Sequence, residues 1–246
     1  MINIIKLKEN LVYKFNRLFV GIAIVSVLLA TYLLNIDLIF YCISSILVFY
    51  ELNKSIIKNK SITISLYLLF IFLFYIFNFW IDNSFFILII IFLFILCSIY
   101  IDKYFEIFFI FFVINILILV SVLFNIDKNL IYLIIAISFI NDTIAYIAGS
   151  NIKGPLISPK ISPNKTWSGT SISFFVTTFT FVFLDYNLIV SSIMAISLFY
   201  GDIYFSYIKR KLDIKDFSTL LFTHGGVLDR LDSISFLLIV FGILNQ

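Results

Sequence analysis

Long runs of Ile, Leu, Phe and Tyr dominate this 246-residue chain, broken at intervals by short clusters of Lys, Asn, Asp and Ser. A helix needs about 20 apolar residues to cross the hydrocarbon core of a bilayer. Cutting the runs at their polar breaks predicts nine such helices, at about 18–35, 36–50, 62–81, 84–101, 104–125, 130–149, 168–184, 186–208 and 225–244. The second and seventh are short. A segment in lipid must satisfy its own backbone polar groups, so helices are expected. The strict alternation of a membrane barrel is missing. The predicted fold is all-α and polytopic.

The polar breaks carry a sign. Lys6, Lys8, Lys14 and Arg17 precede the first run; Lys54, Lys58 and Lys60 follow the second, and Lys103 the fourth. Lys153, Lys160 and Lys165 follow the sixth, and Lys209, Arg210, Lys211 and Lys215 the eighth. Fifteen of the 17 basic residues thus fall on one side, with Lys128 opposite and Arg230 at the start of the last span. The positive-inside rule places the N-terminus in the cytoplasm and the C-terminus outside. The first run is long enough to span and no small-residue cleavage site follows it, so it is not read as a cleavable signal.

Composition makes the membrane assignment firmer. The chain is 62% hydrophobic and 13% charged, with 31 Phe, against about 45–50% apolar and about 25% charged in soluble domains. A water-soluble globule is excluded, as are disorder and a disulfide scaffold. A net charge of +3 gives no argument for a nucleic-acid partner. Cys42 and Cys97 lie inside apolar runs and read as small buried hydrophobes.

The chain divides in character at about residue 128. Residues 1–128 read as hydrophobic membrane helices without chemistry; Glu51 and Glu106 sit near span ends, where a carboxylate can reach water. No internal repeat supports a transporter built on inverted halves. Residues 129–246 read as the catalytic region, with cytoplasmic loops at 150–167 and 209–224. There Asp142, Asp202, Asp229, Arg230 and Asp232 lie in or beside apolar spans, where charge is expensive and faces a cavity or a partner. Asp142, Tyr146 and Gly149 share one helical face, Asp202, Ser206 and Lys209 repeat the spacing, and Asp229 and Asp232 open the last span. Acids converging near one membrane surface suit Mg²⁺. Internal ion pairs that only orient helices are the competing reading.

Both loops are suited to phosphate. Residues 150–167 combine Lys160, Ser162, Lys165 and Thr166 around Pro159 and Pro163, offering charges, hydroxyls and backbone N–H groups. An ordinary positive-inside loop is the plain alternative. The second loop carries Lys209, Arg210, Lys215 and Asp216 and leads into His224, Gly225 and Gly226. Paired glycines before a helix permit close backbone approach to an anion. His224 is the only histidine, which excludes a histidine-based metal cluster and suits a donor to phosphate.

The run from Ser206-Tyr207-Ile208-Lys209-Arg210 through Lys215-Asp216-Phe217-Ser218 to His224-Gly225-Gly226-Val227-Leu228-Asp229-Arg230-Leu231-Asp232 closely resembles the signature of the phosphatidate cytidylyltransferases, the CDP-diacylglycerol synthases. Asp142-Thr143, Ala145-Tyr146, Gly149, Lys160-Ile161-Ser162-Pro163 and Lys165-Thr166-Trp167 look like a second conserved block of that family. The resemblance covers about residues 141–233. One departure is Phe222, where the family usually has Pro or Gly; a changed loop geometry with activity retained is expected.

The resemblance implies the reaction of CTP with phosphatidic acid to give CDP-diacylglycerol and pyrophosphate. Both partners are anionic, so the work is charge neutralisation and alignment, and no protein nucleophile is required. Asp202 and Asp229 are expected to hold Mg²⁺, with a second cation as an option, and Asp142 and Asp232 to ligate or orient them. Lys160, Lys165, Lys209, Arg210 and Lys215 would clamp the triphosphate and the lipid phosphate. Ser162, Thr166, Gly225 and Gly226 would add hydrogen bonds, and Arg230 would pair with acids when substrate is absent. The lipid tails would stay in the bilayer, and the family resemblance suggests a homodimer. The expected location is a bacterial inner membrane with the site facing the cytoplasm. The alternatives are a related CTP-dependent lipid enzyme (a CDP-archaeol synthase or a polyprenol kinase) and a membrane transporter.

Overall fold

The computed structural model of the chain describes residues 22–79, 85–221 and 225–244. Nine α-helices lie within them: α1 (Ile22–Leu34), α2 (Asp37–Leu52), α3 (Lys60–Phe79), α4 (Phe85–Tyr100), α5 (Phe105–Ile126), α6 (Lys128–Ile152), α7 (Trp167–Phe183), α8 (Leu188–Lys211) and α9 (Leu231–Leu244). Five segments are long and apolar enough to cross a membrane: Asp37–Ile57, Lys60–Asn78, Asp102–Ile126, Lys128–Ile152 and Leu188–Lys211. This is the all-α membrane architecture that the hydrophobic pattern predicts. Serine and threonine enter it at little cost because their hydroxyls donate to carbonyls one turn back, as Ser44 does to Tyr41, Ser98 to Ile95 and Thr180 to Val176.

Three expectations are corrected. The last helix begins at Leu231, not near residue 225, so Asp229 stands in a turn before it and Gly225 and Gly226 do not directly precede it. The segment 150–167 is not a plain loop: α6 runs on to Ile152, and β1 (Leu156–Ser158) pairs antiparallel with β2 (Ser162–Thr166). Cys42 is exposed on α2 and Cys97 half-buried, and the two are not disulfide-bonded. Lipid is an apolar solvent, so an exposed thiol there is no contradiction of an apolar role.

The structure divides into two compact units. The first comprises Met1–Thr63 with Lys215–Arg230. Within it α2 continues through a π-helical turn, Asn53–Ile57, and stops where Lys58 adopts a left-handed conformation (φ 54°) and donates its N–H to the Asn53 carbonyl at 2.8 Å. The Asn59 side chain then accepts the Ser61 N–H and caps the start of α3.

The second unit comprises Ile64–Ile214 with Leu231–Gln246. Its centre is α5, on which Phe109, Phe112, Val113, Ile114, Ile116, Leu117, Ile118 and Leu119 are all buried. A helix apolar all round is what a bundle interior takes. Phe109 meets Phe205 of α8 edge-on at 5.4 Å, Phe112 meets Tyr204 at 5.1 Å, and Phe94 of α4 stacks on Phe111. Polar clasps fix the helix registers: Tyr204 to Ser98 at 2.8 Å, Asn78 to Ser121 at 3.0 Å, Asn141 to Thr177 at 3.1 Å and Ser138 to Ser233 at 2.6 Å. Such bonds are worth about 0.6 to 2 kcal/mol each in a membrane bundle. Two helix crossings are closer than any side chain allows. A Cβ on Gly169 of α7 would lie 2.4 Å from the Ala145 carbonyl of α6, and one on Gly201 of α8 would lie 2.3 Å from the Asp232 carbonyl of α9.

Candidate functional site

The close crossing at Gly201 brings the next residue, Asp202, beside the start of α9, where Asp232 occupies the first turn. Lys165, on β2, forms an ion pair with Asp202 and stands 5.7 Å over the Phe199 ring. Lys209, two turns along α8, is only 8% exposed and pairs with Asp232 at 3.9 Å. Two ion pairs, each of a lysine with a partly buried carboxylate, thus stand on α8, one reaching to the end of the hairpin and the other to the first turn of α9. The helix start favours the carboxylate of Asp232, since unpaired N–H groups gather there.

The hairpin sets where Lys165 can reach. Its register pairs Leu156 with Thr166 and Ser158 with Ser162. Thr166 ends β2 and caps α7, its Oγ accepting the Gly169 N–H. The backbone groups expected to be open to phosphate therefore take part in a ladder and a cap. Lys160 is exposed at the turn and Ser162 half-buried. Arg210 donates through Nε to the Ile161 carbonyl and through a terminal nitrogen to that of Ile214. Its guanidinium secures the hairpin to the end of α8. Asp142, on α6, is half-buried.

In the first unit the residues around the glycine pair fold upon two acids. Asp229 is 3% exposed, and its Oδ2 accepts the N–H groups of Phe217 at 3.0 Å and Gly226 at 2.9 Å. Gly225 has φ +79° and lies where a Cβ would be 2.9 Å from that oxygen. The close approach these glycines permit is to side-chain carboxylates of the chain itself. The second acid is Glu51 of α2, which sequence reasoning placed at the water surface. It is 0% exposed and accepts the N–H groups of Val227 and Leu228 and the Ser218 hydroxyl. No local signal marks it, because its partners lie 167 to 177 residues away. Lys215 and Asp216 are exposed and Arg230 is half-buried, while His224 and Phe222 lie outside the described residues.

Among the described residues, no three carboxylate, histidine or cysteine side chains gather as a metal cage. Mg²⁺ does not need one: it binds through one or two carboxylates and fills its octahedron with water and phosphate oxygens. Asp202 and Asp232, hard oxygen donors beside two lysines, fit that demand.

A profile of the "Cytidylyltransferase family" matches residues 14–246. The chain is 38% identical over 124 residues to the phosphatidate cytidylyltransferase of Rickettsia conorii, covering 44% of this chain and 54% of that protein. It is 38% identical over 125 residues to the phosphatidate cytidylyltransferase of Rickettsia bellii, with the same coverage. To the protein of that name from Aquifex aeolicus it is 36% identical over 104 residues, 40% of each chain. The chain spans about half the length of the curated Rickettsia relatives it matches. No solved structure matches it significantly.

Proposed function

Because the chain belongs to the cytidylyltransferase family, we propose that it transfers the cytidylyl group of CTP to phosphatidic acid, giving CDP-diacylglycerol and pyrophosphate. The observation that carries this reading is the pairing of Lys165 with Asp202 and of Lys209 with Asp232. In it two cations and two metal-binding anions neutralise one another until a magnesium polyphosphate can replace both sets of partners.

A phosphate oxygen of the lipid attacks the α-phosphorus of CTP, the bond to the β-phosphate breaks, and pyrophosphate leaves. Bound Mg²⁺ would neutralise phosphate charge and align the oxygens of attack and departure. Asp202 and Asp232 hold it in this reading, and Asp229 and Asp142 are further metal candidates, each to be tested singly. Lys165 and Lys209, released from their acids, bind the phosphates as point charges. Lys160, Ser162, Thr166 and Lys215 serve the triphosphate or the lipid headgroup, Arg210 holds the hairpin that carries Lys165, and His224 donates to phosphate. The acyl chains remain in the bilayer. All nine helices cross the membrane, with the N-terminus and the site facing the cytoplasm of a bacterium and the protein acting as a homodimer.

Purified protein given labelled CTP, phosphatidic acid and Mg²⁺ should yield CDP-lipid and pyrophosphate in equal amounts. Release of CDP with a phosphorylated lipid would identify a kinase and end this reading.

A further inference from the structure

Burying a carboxylate is costly unless donors surround it, and Glu51 is buried completely by its donors. Val227 N–H stands at 2.8 Å, Leu228 N–H at 2.7 Å and the Ser218 hydroxyl at 2.7 Å. None of these contacts supports α2 itself. What they fix is two stretches of the segment Lys215–Arg230, at Ser218 and at Val227 and Leu228, and the neighbouring Phe217 and Gly226 amides in turn hold Asp229 Oδ2. Gly226 ties the two acids together: its amide serves Asp229, and a Cβ on it would lie 2.5 Å from Glu51 Oε1 and 2.6 Å from Ser218 Oγ.

We propose that Glu51 is a positioning residue, whose carboxylate, by gripping the backbone at Val227 and Leu228, sets the geometry of the Asp229 carboxylate for the transfer reaction. This rests on the assignment of Asp229 to that reaction as a metal candidate. An anion does this better than an amide would. Both Glu51 oxygens face donors, so a Gln in its place points an NH₂ group at an N–H or O–H whichever way it is turned.

The test compares wild type with Glu51→Gln and Ser218→Ala, purified in detergent, with rates normalised to the monodisperse fraction. In Glu51→Gln the Mg²⁺ concentration for half-maximal CDP-lipid formation is expected to rise roughly tenfold or more. Trypsin should also cut faster after Lys215, which is exposed at the start of the segment. Loss of folded protein alone would not move the Mg²⁺ requirement. Ser218→Ala, which leaves both amide contacts, should show a shift of a few-fold in the same direction and serves as the probe if Glu51→Gln does not fold. An unchanged Mg²⁺ requirement, in Glu51→Gln or, failing that, in Ser218→Ala, overturns the role of Glu51 and leaves the reaction standing. A wild type that makes no CDP-lipid overturns the reaction, and this role with it.

Discussion

Lys165 and Asp202 are joined across 37 residues of sequence, and the pair can be read as a strut or as a site held ready. The two readings give different results when its charges are removed together. Asp202→Asn is expected to lower CDP-diacylglycerol formation by a hundredfold or more, in the range of about 10²–10³ seen when a charge-stabilising group is lost. Asp202→Asn with Lys165→Met restores neutrality, so a mere strut would regain activity in the double variant, as replaced buried pairs often do. We expect no recovery, measured as turnover per folded molecule. Lys54→Ala, on the exposed face of the turn after α2, should be within experimental error of wild type in the same assay.

At the scale of elements, the crossings of α6 with α7 and of α8 with α9 are backbone contacts. Gly169→Ala would force a methyl group to within 2.4 Å of the Ala145 carbonyl. Overpacking of this kind costs about 1–3 kcal/mol, so the variant's thermal unfolding in detergent should fall by several degrees. A helix pair that moved apart freely would show no such loss. The helices were legible in the sequence because lipid leaves the chain few alternatives: polar breaks at Asp37, Lys60, Lys128 and Asn187 fall within a residue or two of the observed starts. What was not legible depends on distant partners. The hairpin at Leu156–Thr166 is two short strands whose turn is secured by Arg210 from another element. The start of α9 slips to Leu231 because Gly225 to Arg230 is drawn into contacts with Glu51 and with Asp229's own carboxylate. Asp202 and Asp232 were identifiable as charges at membrane depth, and Lys165 and Lys209 as loop cations suited to phosphate; their pairing was not, since spacing along one helix does not reveal what another brings.

For the whole molecule, the unit that holds Asp229 joins two stretches far apart in sequence, Met1–Thr63 and Lys215–Arg230. A chain beginning at Ile64 would keep α4 to α9 and every residue of the sequence signature. It is nevertheless expected to be inactive, with rapid tryptic cleavage after Lys215, because the Val227 and Leu228 amides have lost their acceptor. Retained turnover in that chain would show that α1 and α2 are dispensable. The same discontinuity imposes an order on biosynthesis. Glu51 leaves the ribosome 176 residues before Val227, an interval of roughly 9 to 35 s at 5–20 residues per second. Throughout it the carboxylate must remain hydrated at the membrane surface or find a temporary partner. The grip on Asp229 closes only after α8 has been synthesised, so competence for chemistry is among the last properties the nascent protein acquires.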